Sequence, residues 1–136
     1  MDVVGFTVYA DAHAYYDLGE LVVFNGVTSN IGGHFQPATS SFLCPVTGVY
    51  YFSLSVSNVN DDNSIHAHLM LEDQILSTVR GTAQGSYNQA MNSAIITCER
   101  GESVWVQATR YDSQRVYGDP NYRLSSFSGF LVHPAL

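Results

Sequence analysis

Large aromatic residues recur through the first half of this chain at intervals that no single helix face accommodates: Phe24, Phe35, Phe42, Tyr50 and Phe52. A helix aligns residues three or four apart, and a strand alternates every second residue. Spacings this wide and uneven suit a chain that crosses a β-rich core several times and leaves one bulky anchor at each pass. Gly48 begins a turn that runs directly into residues 49–57. There Tyr50, Phe52, Leu54 and Val56 alternate with Tyr51, Ser53, Ser55 and Ser57, the period-two pattern of a strand with one core face.

The same grammar extends over the rest of the chain. Residues 5–9 and 20–24 read as strands, followed by turns at Asn25-Gly26, at 30–33 and at 37–41. Ile65, Ala67, Leu69 and Leu71 alternate with His66, His68 and Met70; the chain turns at Glu72-Asp73 and returns over 75–79. Residues 91–98 form a strand and 99–102 a hairpin turn; Val104, Val106 and Ala108 then alternate with Trp105, Gln107 and Thr109. The last strand covers 124–132. Polar loops occupy 10–19, 58–63, 81–88 and 111–122. No helix, repeat or linker interrupts the series. Eight to ten short strands joined by turns describe a β-sandwich or jelly roll, and 136 residues describe one domain, 1–136.

From residue 49 onward the strands must run up and down in turn. The loops at 58–63, 81–88 and 111–122 therefore share one end, the apex, and the connections at 43–48, 72–74 and 99–102 share the other, the base. Cys44 and Cys98 fall at the base together, which favours a disulfide over two buried thiols. Such a bond closes a loop of about 55 residues and stabilises by about 4 kcal/mol on the chain-entropy model.

Charge narrows the partners. Twelve acids face five Arg and no Lys, a net charge of −7, which excludes the basic stripe a nucleic acid requires. No apolar run is long enough to insert into a membrane. The first residues carry no basic and apolar leader, so export implies a leader missing from this chain. Tyr, Ser, Asn and Gln supply most of the polar surface, as on many extracellular recognition surfaces. Enzyme readings find no nucleophile motif, no Gly-rich phosphate loop and no His–acid spacing.

The anchors Phe24, Asn30, Phe35, Phe42, Gly48, Tyr50 and Phe52 resemble, without a gap, the signature of the C1q globular-domain family. The run from Gly101 through Val104-Trp105-Val106 is similar to the family's Gly-Asp-x-Val-Trp-Val turn, and Phe127-Ser128-Gly129-Phe130-Leu131 to its last strand. The resemblance implies an all-β, ten-stranded jelly-roll sandwich of the C1q and tumour-necrosis-factor type. It implies a secreted homotrimer, with Tyr51 and Phe130 toward the three-fold axis. Without a Gly-X-Y tract, it implies a stalkless member, of the kind abundant in invertebrates as lectin-like receptors, or an excised domain. In vertebrate relatives calcium binds at the apex through an Asp just before a Gln-Ala-Ser segment. Here Asn88 stands in that place and residues 81–87 hold no carboxylate, so no cofactor is expected.

Candidate sites cluster in the apical loops. Asp61, Asp62 and Asn63, with Asn60, form the most oxygen-rich loop, suited to sugar hydroxyls or calcium, or simply a solvated turn. Tyr111, Asp112, Arg115, Tyr117, Asp119 and Tyr122 combine aromatic faces with charged groups, the chemistry of a glycan site. Tyr15, Tyr16 and Asp17 share that chemistry, with the two Tyr rings also suited to covering the core edge. Arg80, Arg110, Arg115 and Arg123 flank these loops and suit an acidic sugar or Arg–acid pairs. His66 and His68 share one strand face and hold zinc only with further ligands, so the metal question stays open. These readings favour a lectin-like recognition protein of innate immunity. A protein-binding signalling or scaffolding ligand that engages a receptor is the alternative.

Overall fold

A computed structural model describes residues 2–59, 64–82, 87–110 and 113–136. The strands are β1 (Gly5–Tyr9), β2 (Ala14–Tyr16), β3 (Gly26–Ile31), β4 (Phe35–Gln36), β5 (Ser41–Leu43), β6 (Gly48–Ser57), β7 (Ile65–Leu71), β8 (Gln74–Gly81), β9 (Gln89–Cys98), β10 (Ser103–Ala108), β11 (Gln114–Val116) and β12 (Ser126–Pro134). Ten of them make two five-stranded antiparallel sheets, ordered β3-β1-β12-β6-β9 and β4-β5-β10-β7-β8. The remaining two, β2 and β11, pair as a small ribbon. The fold is the expected all-β jelly-roll sandwich.

The anchor aromatics meet between the sheets. Phe6 packs against Phe35, Phe42 and Phe127 with ring centroids 5.2, 5.0 and 4.9 Å away, and Tyr50 stacks on Phe52 at 6.0 Å. Alternation along β6, β7 and β10 places the inward set in the core as read from sequence. Asn30 sits among the anchors for a polar reason. Its side chain donates to the Phe35 carbonyl and accepts from the Phe35 N–H, both at 3.0 Å, locking the turn before β4.

Three expectations change. Asn25-Gly26 is not a tight turn: Gly26 opens β3, because a Cβ there would lie 2.2 Å from the Tyr9 ring that crosses it. Residues 20–24 do not form a regular strand. Leu21 bridges to Gln107 and Val22 donates to the Val106 carbonyl, but the Val23 N–H goes to the Tyr16 hydroxyl and the Phe24 N–H to Ser40 Oγ. Side chains thus take donors a ladder would need. Finally, the loops 10–19 and 111–122 are not wholly irregular, since each contributes a strand of the ribbon.

The two ends sort as the up-and-down alternation requires. At the base, Cys44 N–H donates to the Glu102 carbonyl, Gly101 N–H to the Cys44 carbonyl and Glu72 N–H to the Ser103 carbonyl. At the apex, Asn58 N–H reaches the Asn88 carbonyl and Tyr117 N–H the Ser57 carbonyl. Cys44 and Cys98 do lie together at the base, but in the structure both are buried free thiols rather than a disulfide.

Candidate functional site: the apical loops

The ribbon sits at the apex and organises what surrounds it. Gln114, fully buried, holds it to the sandwich: its side chain accepts from the His66 N–H and donates to the His66 carbonyl, both at 2.8 Å. Val116 bridges to Asn58, and Asn58 Oδ1 accepts from the Asn88 N–H at 2.6 Å. Asn88, in place of the carboxylate, donates its amide to the Thr82 carbonyl. It ties loops together there. Gly118 admits the neighbouring segment, since a Cβ would lie 2.1 Å from the Ala12 carbonyl oxygen.

On this frame the predicted residues separate. Arg115 pairs in register with Tyr15, its guanidinium 5.2 Å from the centre of that ring. Tyr15 is 62% exposed. Arg115 Nε is shielded from solvent and has no hydrogen-bond partner among the described residues. Tyr122 is exposed and free to stack a ligand.

Two candidates do structural work instead. Tyr117 is 7% exposed, its ring 4.7 Å from His13 and 5.2 Å from Tyr87. Burial raises its phenol pKa, with Asp119 adding to the effect. Packing across three loops, which the local sequence does not reveal, removes Tyr117 as a stacking platform. Asp119 folds its own turn, accepting from the Asn121 and Tyr122 N–H groups at 2.7 and 3.2 Å. Tyr16 is buried too, its hydroxyl accepting from Val23, and burial raises its pKa. Tyr87, exposed beside Tyr117, was not singled out by sequence; only its place in a polar loop pointed to it. Asp61, Asp62, Asn63, Tyr111 and Asp112 lie outside the described residues.

Tyr51 and Phe130 lie on the outer face of the β3-β1-β12-β6-β9 sheet. Strand register sets Ile31, Gly5, Phe130, Tyr51 and Ile95 in one row across all five strands. Ile31, Phe130 and Ile95 are about half or more exposed, and Tyr51 and Phe130 touch at 5.5 Å. The next row is Ser29, Thr7, Ser128, Ser53 and Ser93.

The C1q domain model matches residues 5–132. The chain belongs to the C1q domain family. As a C1q domain it is not an enzyme. It is 31% identical over 112 residues to complement C1q tumor necrosis factor-related protein 7 of Mus musculus, covering 82% of this chain and 38% of that one. To complement C1q tumor necrosis factor-related protein 3 of Homo sapiens it is 30% identical over 112 residues, covering 82% and 44%. The C1q domain described here thus spans less than half the length of these two relatives. Among solved structures, the globular domain of zebrafish complement 1qA superposes with a TM-score of 0.76 at 21% identity, covering 97% and 99% of the two chains. Eiger TNF of S. frugiperda superposes at 0.81 with 11% identity, covering 100% and 96%. These identities carry the fold alone.

Proposed function

We propose that this C1q domain, one unit over residues 1–136, acts outside the cell as a homotrimeric recognition module that binds glycans through its apical loops. The observation that carries the reading is the ribbon: an exposed Tyr15 ring beside an Arg115 whose shielded Nε still lacks a hydrogen-bond acceptor. A shielded donor without a partner costs free energy until something accepts from it. Arg115 as a whole is only half-buried, so a sugar carboxylate or hydroxyl binds its guanidinium while the sugar ring lies on tyrosine. Exposed Tyr122 and Tyr87 extend the same rim.

A glycan array tests this. Native protein is expected to bind defined glycans saturably, and Arg115→Ser to weaken binding about tenfold or more, the effect of losing a charge-assisted hydrogen bond. Clean silence across the array refutes the glycan reading. Capture of a cell-surface receptor protein would then favour the signalling alternative, which the names of the tumour-necrosis-factor-related relatives support.

Trimer formation rests on the apolar row through Phe130 and Tyr51, which is too exposed to suit a lone domain and spans a whole sheet. Phe130→Glu is expected to shift light-scattering mass from three protomers to one at micromolar concentration, with the circular dichroism spectrum unchanged. Native protein that is already monomeric there would remove the trimer.

A further inference from the structure

The second sheet has an uncovered face of a different character. Along β10 and β7 the outward residues are Trp105 and Gln107, and His66, His68 and Met70. Pairing arranges them in rows with β8. Trp105 lies opposite Met70 and Met70 opposite Ile75; Gln107 lies opposite His68 and His68 opposite Thr78; His66 lies opposite Arg80. Cross-strand partners stand close enough for side chains to act together. The face thus grades from an apolar shelf near the base to a cationic end near the apex.

The shelf is held rigidly. Trp105 Nε1–H donates to the Glu72 carbonyl at 2.8 Å, and the Glu72 carboxylate accepts from the Ser103 N–H at 3.2 Å. Glu72 adopts a φ of 52°, left-handed backbone that a residue with a Cβ seldom takes. Met70 is only 5% exposed although it lies on the outward side, whereas Ile75 is 55% exposed. Two hollows adjoin here, of about 560 and 340 Å³, and both are lined by His68 and Thr109. The first contains Trp105, Met70 and Gln107, the second His66, Thr78 and Arg80. Both are open to solvent, so a ligand there lies on the sheet rather than inside a closed cavity.

We propose that this face binds an acidic pyranose, with the sugar ring on Trp105, its hydroxyls on Gln107, Glu72 and Asp73, and its anionic group between His68 and Arg80. The apolar C–H face of a pyranose matches a fixed indole, and amide and carboxylate groups match its hydroxyls. The negative group is argued from charge. In a chain of net charge −7 with five Arg, Arg80 stands beside His68 at the end of the hollow. A neutral hexose would offer that guanidinium no anion, and Arg is suited to carboxylates and sulfates alike. The site lies on the sheet opposite the one bearing Phe130, so trimer formation through that row leaves it open. It is separate from the apical ribbon and stands independently of the reading given there.

Trp105 is the only tryptophan in the chain, so intrinsic fluorescence reports directly on this site. The native protein is titrated with a hexuronic acid, a sialic acid, a sulfated hexose and a neutral hexose. A saturable fluorescence change is expected with at least one acidic sugar, about tenfold weaker or absent with the neutral one. The carboxylate and sulfate arms identify which acidic group is taken. Arg80→Ser, an exposed change that keeps the reporter, is expected to weaken binding about tenfold, and Arg115→Ser to leave it unchanged. Trp105→Ala, read by saturation-transfer NMR, is expected to abolish it. The proposal is overturned by no response up to about 20 mM, by equal affinity for the neutral sugar, or by binding indifferent to Arg80→Ser. Loss on Arg115→Ser with Arg80→Ser unaffected also overturns it and leaves the apical reading standing.

Discussion

Phe6→Ala is expected to cost about 3–5 kcal/mol, the range for removing a buried aromatic side chain, and so a large share of the about 5–15 kcal/mol that holds a domain of this size. The reason lies in how the ring is surrounded. Phe6 comes from β1, and its neighbours Phe35, Phe42, Phe52 and Phe127 come from β4, β5, β6 and β12, with centroids between 4.9 and 6.5 Å away. Both sheets contribute, and each neighbour is held by its own ladder, so the vacated space cannot close by moving one element. A cavity that cannot collapse adds its own cost to the lost burial. Urea denaturation checks this, with Thr7→Ala on the outward face as the control expected to change little. A loss below about 1 kcal/mol would mean the sheets slide together to fill the gap, and the aromatic cluster would not be the keystone of this core.

What the sequence displays about this fold depends on how local each cause is. Residues 49–57, 65–71 and 103–108 announce themselves because one core face repeats every second position, and burial follows that repeat along β10 and through the first halves of β6 and β7. The sharing of apex and base follows from counting reversals, which needs no side chain at all. Gly26 misleads because its cause is remote: Tyr9, on another strand, occupies the space its Cβ would fill. The ribbon is equally hidden, since three-residue strands have no visible period and Ala14–Tyr16 meets Gln114–Val116 only across the whole fold. The site divides in the same way. Loop chemistry is legible as composition, so Arg115 and Tyr122 are candidates from the sequence alone, but exposure is not legible. Tyr117 carries the same ring as Tyr122 and is spent on His13 and Tyr87. The outer-face groove was half visible: Trp105 and Met70 sit at the polar phase of their strands, where alternation calls for hydrophilic residues.

Oxidation of the base is expected to produce the second large effect. Cys44 and Cys98 are buried side by side in the reduced state, the Cys44 thiol donating to the Val46 carbonyl at 3.3 Å and Cys98 paired in register to Gly48 at the start of β6. The neighbouring Cys98 thiol lowers the Cys44 pKa by more than burial raises it; Cys98 moves the other way, raised first by the neighbouring Cys44 and then by burial. Lowering favours a Cys44 thiolate at neutral pH, and the thiolate is the attacking species. With glutathione disulfide as oxidant, Cys44 attacks one sulfur and expels a glutathione thiolate. Cys98 then loses its proton, attacks the mixed disulfide and expels the second, so two electrons leave the protein and two glutathione molecules are reduced. The product closes a loop of about 55 residues and is expected to gain about 4 kcal/mol on the chain-entropy model, moving a urea midpoint up by about 1.5–4 M. Mass loss of two hydrogens in an unreduced monomer, together with that shift and its disappearance in Cys44→Ser, would establish the bond. A cross-link found only between chains, or an oxidised monomer no more stable than the reduced one, would show that the two thiols sit at the base for packing alone. Because Cys44 has a lowered folded-state pKa, its contribution in the reduced protein is present above the thiol's ordinary range and fades as pH falls through the lowered value. Cys98, raised, acts in the opposite sense, its contribution fading as pH rises above the ordinary thiol range.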